Sequence, residues 1–206
     1  MTSTFKNFFA YHLQLSSASI LLYQSNMPVT VLITGAGSGF GLHAAKTLAK
    51  FGHIVYGGLH SLHGSRDSDK DNASPIRDIV LDITDKNSID TAIKKILSET
   101  GQLDCVVHNA GHMGMGPAES FSAEQFLQYY DINAVGAHRL NQAVLPLMRK
   151  AGRGHIVWVS SSSSRGGSGP LLAPYFAAKA AMHSLALALS TEIACWGIET
   201  TIVVPG

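Results

Sequence analysis

Tyr175 and Lys179 are the residues of this chain whose types and spacing most clearly predict chemistry. On a helix, residues four apart lie on the same face, so the phenol and the ammonium point into one space. A free tyrosine has a pKa of about 10, and a nearby cation favours the phenolate and lowers that pKa. The pair therefore predicts an acid/base group, and the five serines at 160–164 offer a hydroxyl that can hold a substrate oxygen.

A fold of alternating strands and helices must position these residues. From Met27 onward, short apolar runs rich in β-branched residues alternate with amphipathic helical segments. This alternation predicts a parallel sheet covered on both faces: an α/β, doubly wound, Rossmann-like three-layer sandwich. Ligands of such sheets bind beyond the carboxyl ends of the strands. The predicted strands are 29–34, 54–59, 78–81, 104–108, 155–160 and 200–204, and the predicted helices are 42–51, 85–100, 123–150 (disturbed near 146) and 175–196.

The composition limits the classes of function. The 206 residues are 46% hydrophobic and 14% charged, which is typical of one well-buried globular domain. A net charge of +1 gives no support for a nucleic-acid partner. The ten histidines show neither HxH nor HExxH spacing, so we predict no metal site. Cys105 and Cys195 lie in apolar segments and predict buried free thiols, which favours a reducing, cytoplasmic location.

The first 27 residues differ from the rest of the chain. The apolar run at 13–23 is interrupted by polar residues and is too short to span a bilayer, so we predict no membrane partner. We expect residues 1–27 to be a disordered N-terminal extension. Residues 28–206 are expected to form the nucleotide-binding domain.

A glycine-rich turn follows the first predicted strand. Gly35, Gly39 and Gly41 stand in TGAGSGFG, with Ser38 and Phe40 between them. Such a turn between a strand and a helix lets backbone N–H groups approach a phosphate at the positive end of the helix. The spacing TGxxxGxG differs from the common dinucleotide fingerprint GxGxxG, and the absence of a following Gly-Lys-Ser/Thr argues against a P-loop.

The end of the second strand bears on the choice of cofactor. An NAD enzyme usually places Asp or Glu there to bind the ribose 2′-hydroxyl, but no acidic residue occurs between the glycine turn and Asp67. No side chain there would repel a 2′-phosphate, and His60, Ser38 and Arg66 are candidate partners for it. We predict NADP(H) as the preferred cofactor, with NAD(H) as the alternative.

Taken in order, the motifs resemble those of the short-chain dehydrogenase/reductase family. TGxxxGxG is followed by Asn-Ala-Gly at 109–111, Asn133 in DINAVG, serines after the fifth strand, Tyr175-xxx-Lys179, and Pro-Gly after the sixth strand. The resemblance covers about residues 28–206. One such motif is modest evidence, whereas the ordered set is specific.

The resemblance implies an oxidoreductase that transfers a hydride between a nicotinamide and a carbonyl or alcohol group of a small-molecule substrate. Tyr175 is then the acid/base, Lys179 lowers its pKa and holds the nicotinamide ribose, and Asn133 orders water behind the lysine. The glycine turn and the resemblance together predict these cofactor-binding residues: Gly35, Ser38, Gly39, Phe40, Gly41, His60, Asp82, Ile83, Asn109, Ala110, Gly111, Tyr175 and Lys179.

Two positions remain open for the catalytic serine. Counting back 13 residues from Tyr175, the usual spacing in the family, gives Ser162, whereas aligning the strand that precedes the serines gives Ser161. We favour Ser161, because strand register is set by packing while loops accept insertions.

The sequence ends soon after the sixth strand, where members of the family continue with another helix, a substrate loop and a further strand. We therefore expect a C-terminally truncated domain. The alternatives to an enzyme are a cofactor-binding sensor or scaffold without turnover, and an inactive truncated fragment. The family also associates through its two long helices, which makes a homodimer or homotetramer an expected assembly.

Overall fold

A parallel sheet of six strands organises the residues that this computed structural model describes, which are 28–61, 76–166 and 169–206. The strands are β1 Thr30–Thr34, β2 Ile54–Leu59, β3 Ile76–Val80, β4 Cys105–His108, β5 Gly154–Val159 and β6 Ile198–Val203. They lie in the order β3-β2-β1-β4-β5-β6, and each neighbouring pair is parallel. The order reverses between β1 and β4, which is where such sheets open a crevice for a ligand.

Helices connect the strands and cover the sheet. They are α1 Gly39–Lys50, α2 Lys86–Thr100, α3 Ala123–Tyr130, α4 Gly136–Ala151 and α5 Ala173–Ile193. A π-helical turn, Asp131–Val135, joins α3 to α4. A 3₁₀ turn at Ser162–Arg165 follows β5, and another at Ala194–Trp196 follows α5.

Two hydrophobic clusters lie on opposite faces of the sheet. Successive residues of a strand point to opposite faces, and in β1 Leu32 belongs to one cluster while Val31 and Ile33 belong to the other. The Leu32 cluster includes residues of α2, α4 and α5, and the other includes alanines of α1. The sheet therefore has helices packed on both faces.

The predicted doubly wound parallel sheet is confirmed, and all six predicted strands form. The greatest difference is in the segment predicted as one helix over 123–150. It is interrupted at Asp131–Val135 and not at Pro146, which lies inside α4. Cys105 is buried as predicted, but Cys195 is exposed on the turn after α5.

The π-helical turn has a local cause. The Asn133 side-chain amide donates to the carbonyl of Tyr129 at 3.0 Å, so it satisfies a helical carbonyl with a side chain. Arg139 pairs with Asp131 at the start of the turn and also donates to the carbonyl of Ile83 at 3.3 Å. π-helical turns occur often at functional sites, and this one turns Asn133 into the protein interior, where it is buried.

Two predicted features lie outside the described residues: the N-terminal extension at 1–27, and Arg66 in the polar loop after β2. Over the ranges that are described, no helix is both long and apolar enough to cross a bilayer.

Candidate active site

The glycine turn after β1 has a backbone that only glycine adopts easily. Gly35 has φ +65° and Gly39 has φ +53°, both in the left-handed region. A Cβ at Gly35 would lie 2.8 Å from the Cα of Ala110, and a Cβ at Gly41 would lie 2.5 Å from the carbonyl oxygen of Gly35. The turn is therefore packed on its inner side against itself and the segment after β4.

The outer side of this turn is open over the described residues. Ser38, Gly39 and Phe40 are exposed at the start of α1. Apart from the adjacent residues and the backbone of α1 itself, no described atom lies within 4 Å of the place that a Cβ at Gly39 would take. Ser38 precedes the helix with extended backbone, and its side chain makes no capping hydrogen bond to the described residues. By contrast, Asp85 caps α2. No side chain of the described residues thus caps the first N–H groups of α1, where the helix dipole favours an anion.

Thr34 ties the two strand ends that border the crevice. Its hydroxyl accepts from the backbone N–H groups of Asn109 at 3.0 Å and Ala110 at 2.9 Å, and it donates to the carbonyl of Val107 at 3.3 Å. The Asn109 side chain donates in return to the carbonyls of Thr34 at 2.9 Å and Gly35 at 3.0 Å. Asn109 and Ala110 are thereby held beside the glycine turn.

Asp82 lies just past β3, beside His60 at the end of β2. The carboxylate accepts from the backbone N–H of Thr84 at 2.8 Å and its hydroxyl at 2.7 Å, and it lies 3.3 Å from the His60 ring. Burial acts to raise the pKa of Asp82, but the Thr84 hydrogen bonds and the charges of His60 and Arg139 hold that pKa below its usual value. Ile83, the next residue, is buried beneath Gly136, where an added Cβ would lie 2.8 Å from its Cδ1.

Three predicted site residues meet at the end of β4. A Cβ at Gly111 would lie 2.9 Å from Oδ1 of Asn133 and 3.6 Å from Nζ of Lys179. The buried Asn133 amide also accepts from the His112 N–H at 3.1 Å and donates to the His112 carbonyl at 2.9 Å. The π-helical turn and the segment after β4 are thus fastened together next to the lysine.

Lys179 is 4% exposed, and its Nζ donates to the carbonyl of Val159 at 2.9 Å. Burial lowers the pKa of this amino group to about 8. Tyr175 lies one turn earlier on α5, with its ring centroid 6.0 Å from Nζ, and is partly exposed. The predicted pair therefore shares one helix face at the carboxyl end of β5.

The two candidate serines differ in their surroundings. Ser161 is partly buried, and its oxygen accepts from the N–H of Ser163 at 3.2 Å and the hydroxyl of Ser163 at 2.9 Å. With both lone pairs engaged, the Ser161 proton is the part of the group that can donate. Ser162 is exposed, and its backbone N–H donates to the carbonyl of Pro205 at 2.8 Å.

Three residues that hydrogen-bond to members of the site or of its serine turn were not predicted from the sequence. Thr34 was visible only as the first letter of the glycine motif, and Ser163 was one of five identical neighbours. His183 had a usable signal, because it lies four residues after Lys179 and eight after Tyr175, which puts all three on one helix face.

Comparison with known proteins identifies the family. The family model described as short chain dehydrogenase matches residues 29–206. The chain belongs to the short-chain dehydrogenase family. The predicted resemblance is thus confirmed over nearly all of the described residues.

Two relatives of this chain are named as reductases. The 3-ketodihydrosphingosine reductase of Bacteroides thetaiotaomicron is 37% identical over 180 residues, with 87% of this chain and 64% of that protein covered. The 3-oxoacyl-acyl-carrier-protein reductase of Escherichia coli is 32% identical over 175 residues, with 85% and 71% covered. This short-chain dehydrogenase chain therefore spans less than two thirds of the length of the Bacteroides reductase.

Solved structures of the family have the same fold. A short-chain dehydrogenase from Streptomyces avermitilis superposes with a TM-score of 0.79 at 32% identity, covering 87% of this chain and 66% of that one. An NAD⁺-bound xylitol dehydrogenase superposes with a TM-score of 0.78 at 25% identity, covering 86% and 70%.

The Thr34 hydroxyl generates a stability prediction for this short-chain dehydrogenase. Thr34→Val keeps the shape but leaves two backbone N–H groups without their acceptor, so we expect a loss of about 1–3 kcal/mol in the free energy of unfolding. Thr34→Ser keeps the hydroxyl and is the matched control, with a smaller loss expected. Urea unfolding of the three proteins measures both values, and equal losses for Val and Ser would contradict the role of the hydroxyl.

The lowered pKa of Lys179 generates a pH prediction. The pKa is about 8 in the folded protein against 10.5 for the ordinary group, so between these values the unfolded chain binds more protons at this site. The contribution of Lys179 to stability is therefore fully present above 10.5 and is lost as the pH falls through about 8. We expect wild type to gain stability relative to Lys179→Met as the pH rises from about 8 to about 10.

Urea unfolding across this pH range measures that difference. Lys150→Met, at an exposed lysine of α4, is the control and should show no such trend. A wild-type advantage over Lys179→Met that stays constant or falls with rising pH would contradict the assignment of the lowered pKa to Lys179.

Proposed function

We propose that this chain is an NADP(H)-preferring oxidoreductase that transfers a hydride between the nicotinamide and a carbonyl or alcohol group. The observation that carries the proposal is the meeting of Gly111, Asn133 and Lys179, with Tyr175 one turn from the lysine and the open glycine turn at the same edge of the sheet. Such an arrangement serves proton transfer next to a bound dinucleotide.

Tyr175, Lys179 and Ser161 have separate roles at the reacting oxygen. The nicotinamide, when bound, supplies or accepts the hydride. Tyr175 gives its phenolic proton to the substrate oxygen in reduction and removes it in oxidation. The buried Lys179 ammonium stabilises the negative charge left on the phenol oxygen, since a cation in a poorly solvated site acts strongly on nearby charge. Ser161, rather than Ser162, donates a hydrogen bond to the same oxygen, because Ser163 engages both lone pairs of the Ser161 oxygen and leaves its proton to donate.

Asn133 supports proton return to Lys179. Both of its amide N–H bonds are used, by the carbonyls of His112 and Tyr129, and its oxygen accepts from the His112 N–H. The side chain thereby fixes the backbone of the π-helical turn, beside which a water can stand. Water held there would carry a proton between the lysine and solvent.

The cofactor is bound across the crevice by the turn and the strand ends. The N–H groups from Ser38 to Gly41, including Phe40, take the pyrophosphate, and Gly35 lets it approach. Asp82 and Ile83 border the adenine, and Asn109, Ala110 and Gly111 border the nicotinamide side. His60 lies beside the ribose 2′-position and attracts a phosphate there, which favours NADP(H) over NAD(H).

The free thiols and the exposed apolar side chains bear on location and assembly. Free thiols at Cys105 and Cys195 fit a reducing, cytoplasmic setting. Exposed Leu127 on α3 and Leu187 on α5 offer apolar surface for a homodimer or homotetramer. Size-exclusion chromatography with light scattering measures the assembly.

A titration separates the enzyme from its alternatives. The chain is titrated with NADPH and NADH by nicotinamide fluorescence and then assayed on a panel of ketones and aldehydes that includes 3-oxo compounds. Binding with turnover supports the enzyme, and binding without turnover on the whole panel supports a sensor or scaffold. Absence of binding supports an inactive fragment.

Tyr175→Phe tests the acid/base assignment. The substitution keeps the ring but removes the proton, so we expect kcat to fall by about 10²- to 10⁴-fold while the Kd for NADPH stays within about twofold. Tyr130→Phe, at the end of α3, is the matched control and should retain activity. Full carbonyl-reducing activity in Tyr175→Phe would show that another group transfers the proton.

His60 tests the cofactor preference. His60→Asp places a negative charge beside the 2′-position, so we expect the Kd for NADPH to rise about 10-fold or more while that for NADH is unchanged or falls. His138→Asp, at an exposed histidine of α4, is the charge-matched control. An equal change for both cofactors would mean that His60 does not face the 2′-position.

A further inference from the structure

A hydrogen-bonded chain of side chains connects α5 to the serine turn after β5. Nδ1 of His183 lies 2.9 Å from the hydroxyl oxygen of Ser160 and 3.3 Å from that of Ser164. The Ser160 and Ser164 oxygens are 3.2 Å apart, and the Ser164 hydroxyl lies 2.6 Å from the carbonyl oxygen of Ser161. Ser160 is 3% exposed, so the protein must supply its partners.

The number of protons available in this series of hydrogen bonds decides which group donates in each bond. A carbonyl oxygen can only accept a hydrogen bond, so the Ser164 hydroxyl donates its one proton to the bond with the Ser161 carbonyl. The contact between Ser160 and Ser164 then requires Ser160 as the donor, and the contact between His183 and Ser160 requires a proton on Nδ1. The opposite tautomer, with the proton on Nε2, would leave the two serine oxygens in contact with no proton between them.

The series of hydrogen bonds from His183 through Ser160 and Ser164 ends at Ser161, the candidate catalytic serine. The Ser161 carbonyl accepts both the Ser164 hydroxyl and, at 3.0 Å, the Ser164 N–H. These bonds hold the 3₁₀ turn that Ser161 opens, and within that turn Ser163 occupies both lone pairs of the Ser161 oxygen. The direction of the Ser161 proton therefore depends on how this turn is held.

The same helix face carries the other reacting groups. Lys179 is bonded to the Val159 carbonyl, and His183, one turn further along α5, is bonded to Ser160, the next residue of the chain. Two successive polar bonds thus align the helix that bears Tyr175 with the strand end that bears Ser161.

We infer that His183 is a positioning residue for Ser161: its Nδ1–H, passed on through Ser160 and Ser164, holds the serine turn so that the Ser161 hydroxyl donates toward the oxygen that Tyr175 protonates. The inference rests on the proposed function for its effect on catalysis. The tautomer and the hydrogen-bonded chain stand without it.

The first test needs no turnover. Imidazoles are largely neutral at about pH 8, and ¹⁵N NMR of the ¹⁵N-histidine-labelled chain at that pH distinguishes the two tautomers, with His183→Asn used for assignment. We expect a protonated Nδ1 on His183, and we expect Ser160→Ala combined with Ser164→Ala to abolish this preference, because both serine oxygens lie within reach of Nδ1. A protonated Nε2 in the wild type would overturn the inference, whatever the activity of the protein.

The second test uses rescue and a double-mutant cycle. His183→Leu removes the donor, so we expect kcat to fall about 10-fold with the Kd for NADPH unchanged. His183→Asn places an amide N–H near the position of Nδ1 and should recover most of the loss. In a Ser161→Ala background, His183→Leu should have little further effect, because both act on the same hydrogen bond.

Controls keep the outcomes distinct. His138→Leu, at an exposed position on α4, should be neutral. If His183→Leu fails to fold, Ser164→Ala, which cuts the same chain of hydrogen bonds, takes its place in the cycle. Any of three results would overturn the inference. They are full activity in His183→Leu, no recovery of activity in His183→Asn, and losses from His183→Leu and Ser161→Ala that add in the double variant. Absence of turnover in the wild type, together with a protonated Nδ1, would overturn the proposed function and leave only the structural part of the inference standing.

Discussion

Lys179 buries an ammonium group at the carboxyl end of the central strands, and the solvation that it loses has to be replaced by the protein. One backbone carbonyl, that of Val159, accepts a hydrogen bond from it. Burial nevertheless lowers the pKa of the amino group to about 8, because this bond replaces only part of the lost solvation. The group is therefore poised to stabilise negative charge near it. A phenolate of Tyr175 and the hydroxyls of a bound ribose are the partners that would complete its environment.

The rest of the molecule keeps this buried cation in place. The segments that follow β4 and β5 lie next to it. The hydrogen bonds between Asn133 and the His112 backbone hold the π-helical turn against Gly111. A larger residue at Gly111 would press on the Asn133 amide at 2.9 Å. The glycine turn, held to Asn109 and Ala110 through Thr34, lies beside the same strand ends.

Most of the fold could be predicted because its strands are buried on both faces. β1 and β2 are nearly continuous apolar runs, so their type and extent are visible in the sequence. β3 begins two residues before its predicted start, since Arg77 is polar yet belongs to the strand, where it bonds to the hydroxyl of buried Tyr56 at 2.8 Å. The π-helical turn could not be predicted, because it depends on side-chain bonds made by Asn133 and Arg139 after folding.

The members of the site could be predicted better than their hydrogen bonds. The spacing of Tyr175 and Lys179 and the order of the motifs indicate which residues meet, because the strand ends of a parallel sheet share one edge. The same argument does not show which of the five serines is catalytic, since identical neighbours differ only in burial and in hydrogen bonding. Ser160 is buried, Ser162 is exposed, and Ser161 has its lone pairs engaged, which only the folded chain reveals.

Isotope transfer tests the central claim most directly. The chain is incubated with NADPH carrying deuterium on both hydrogens at C4 of the nicotinamide, together with the carbonyl panel, and the alcohol products are examined by mass spectrometry. The account predicts one deuterium on the carbinol carbon of a product formed by the wild type, and loss of that product in Tyr175→Phe. Bound NADPH with no deuterated alcohol from any carbonyl, or the same labelled product at an unchanged rate in Tyr175→Phe, would contradict it.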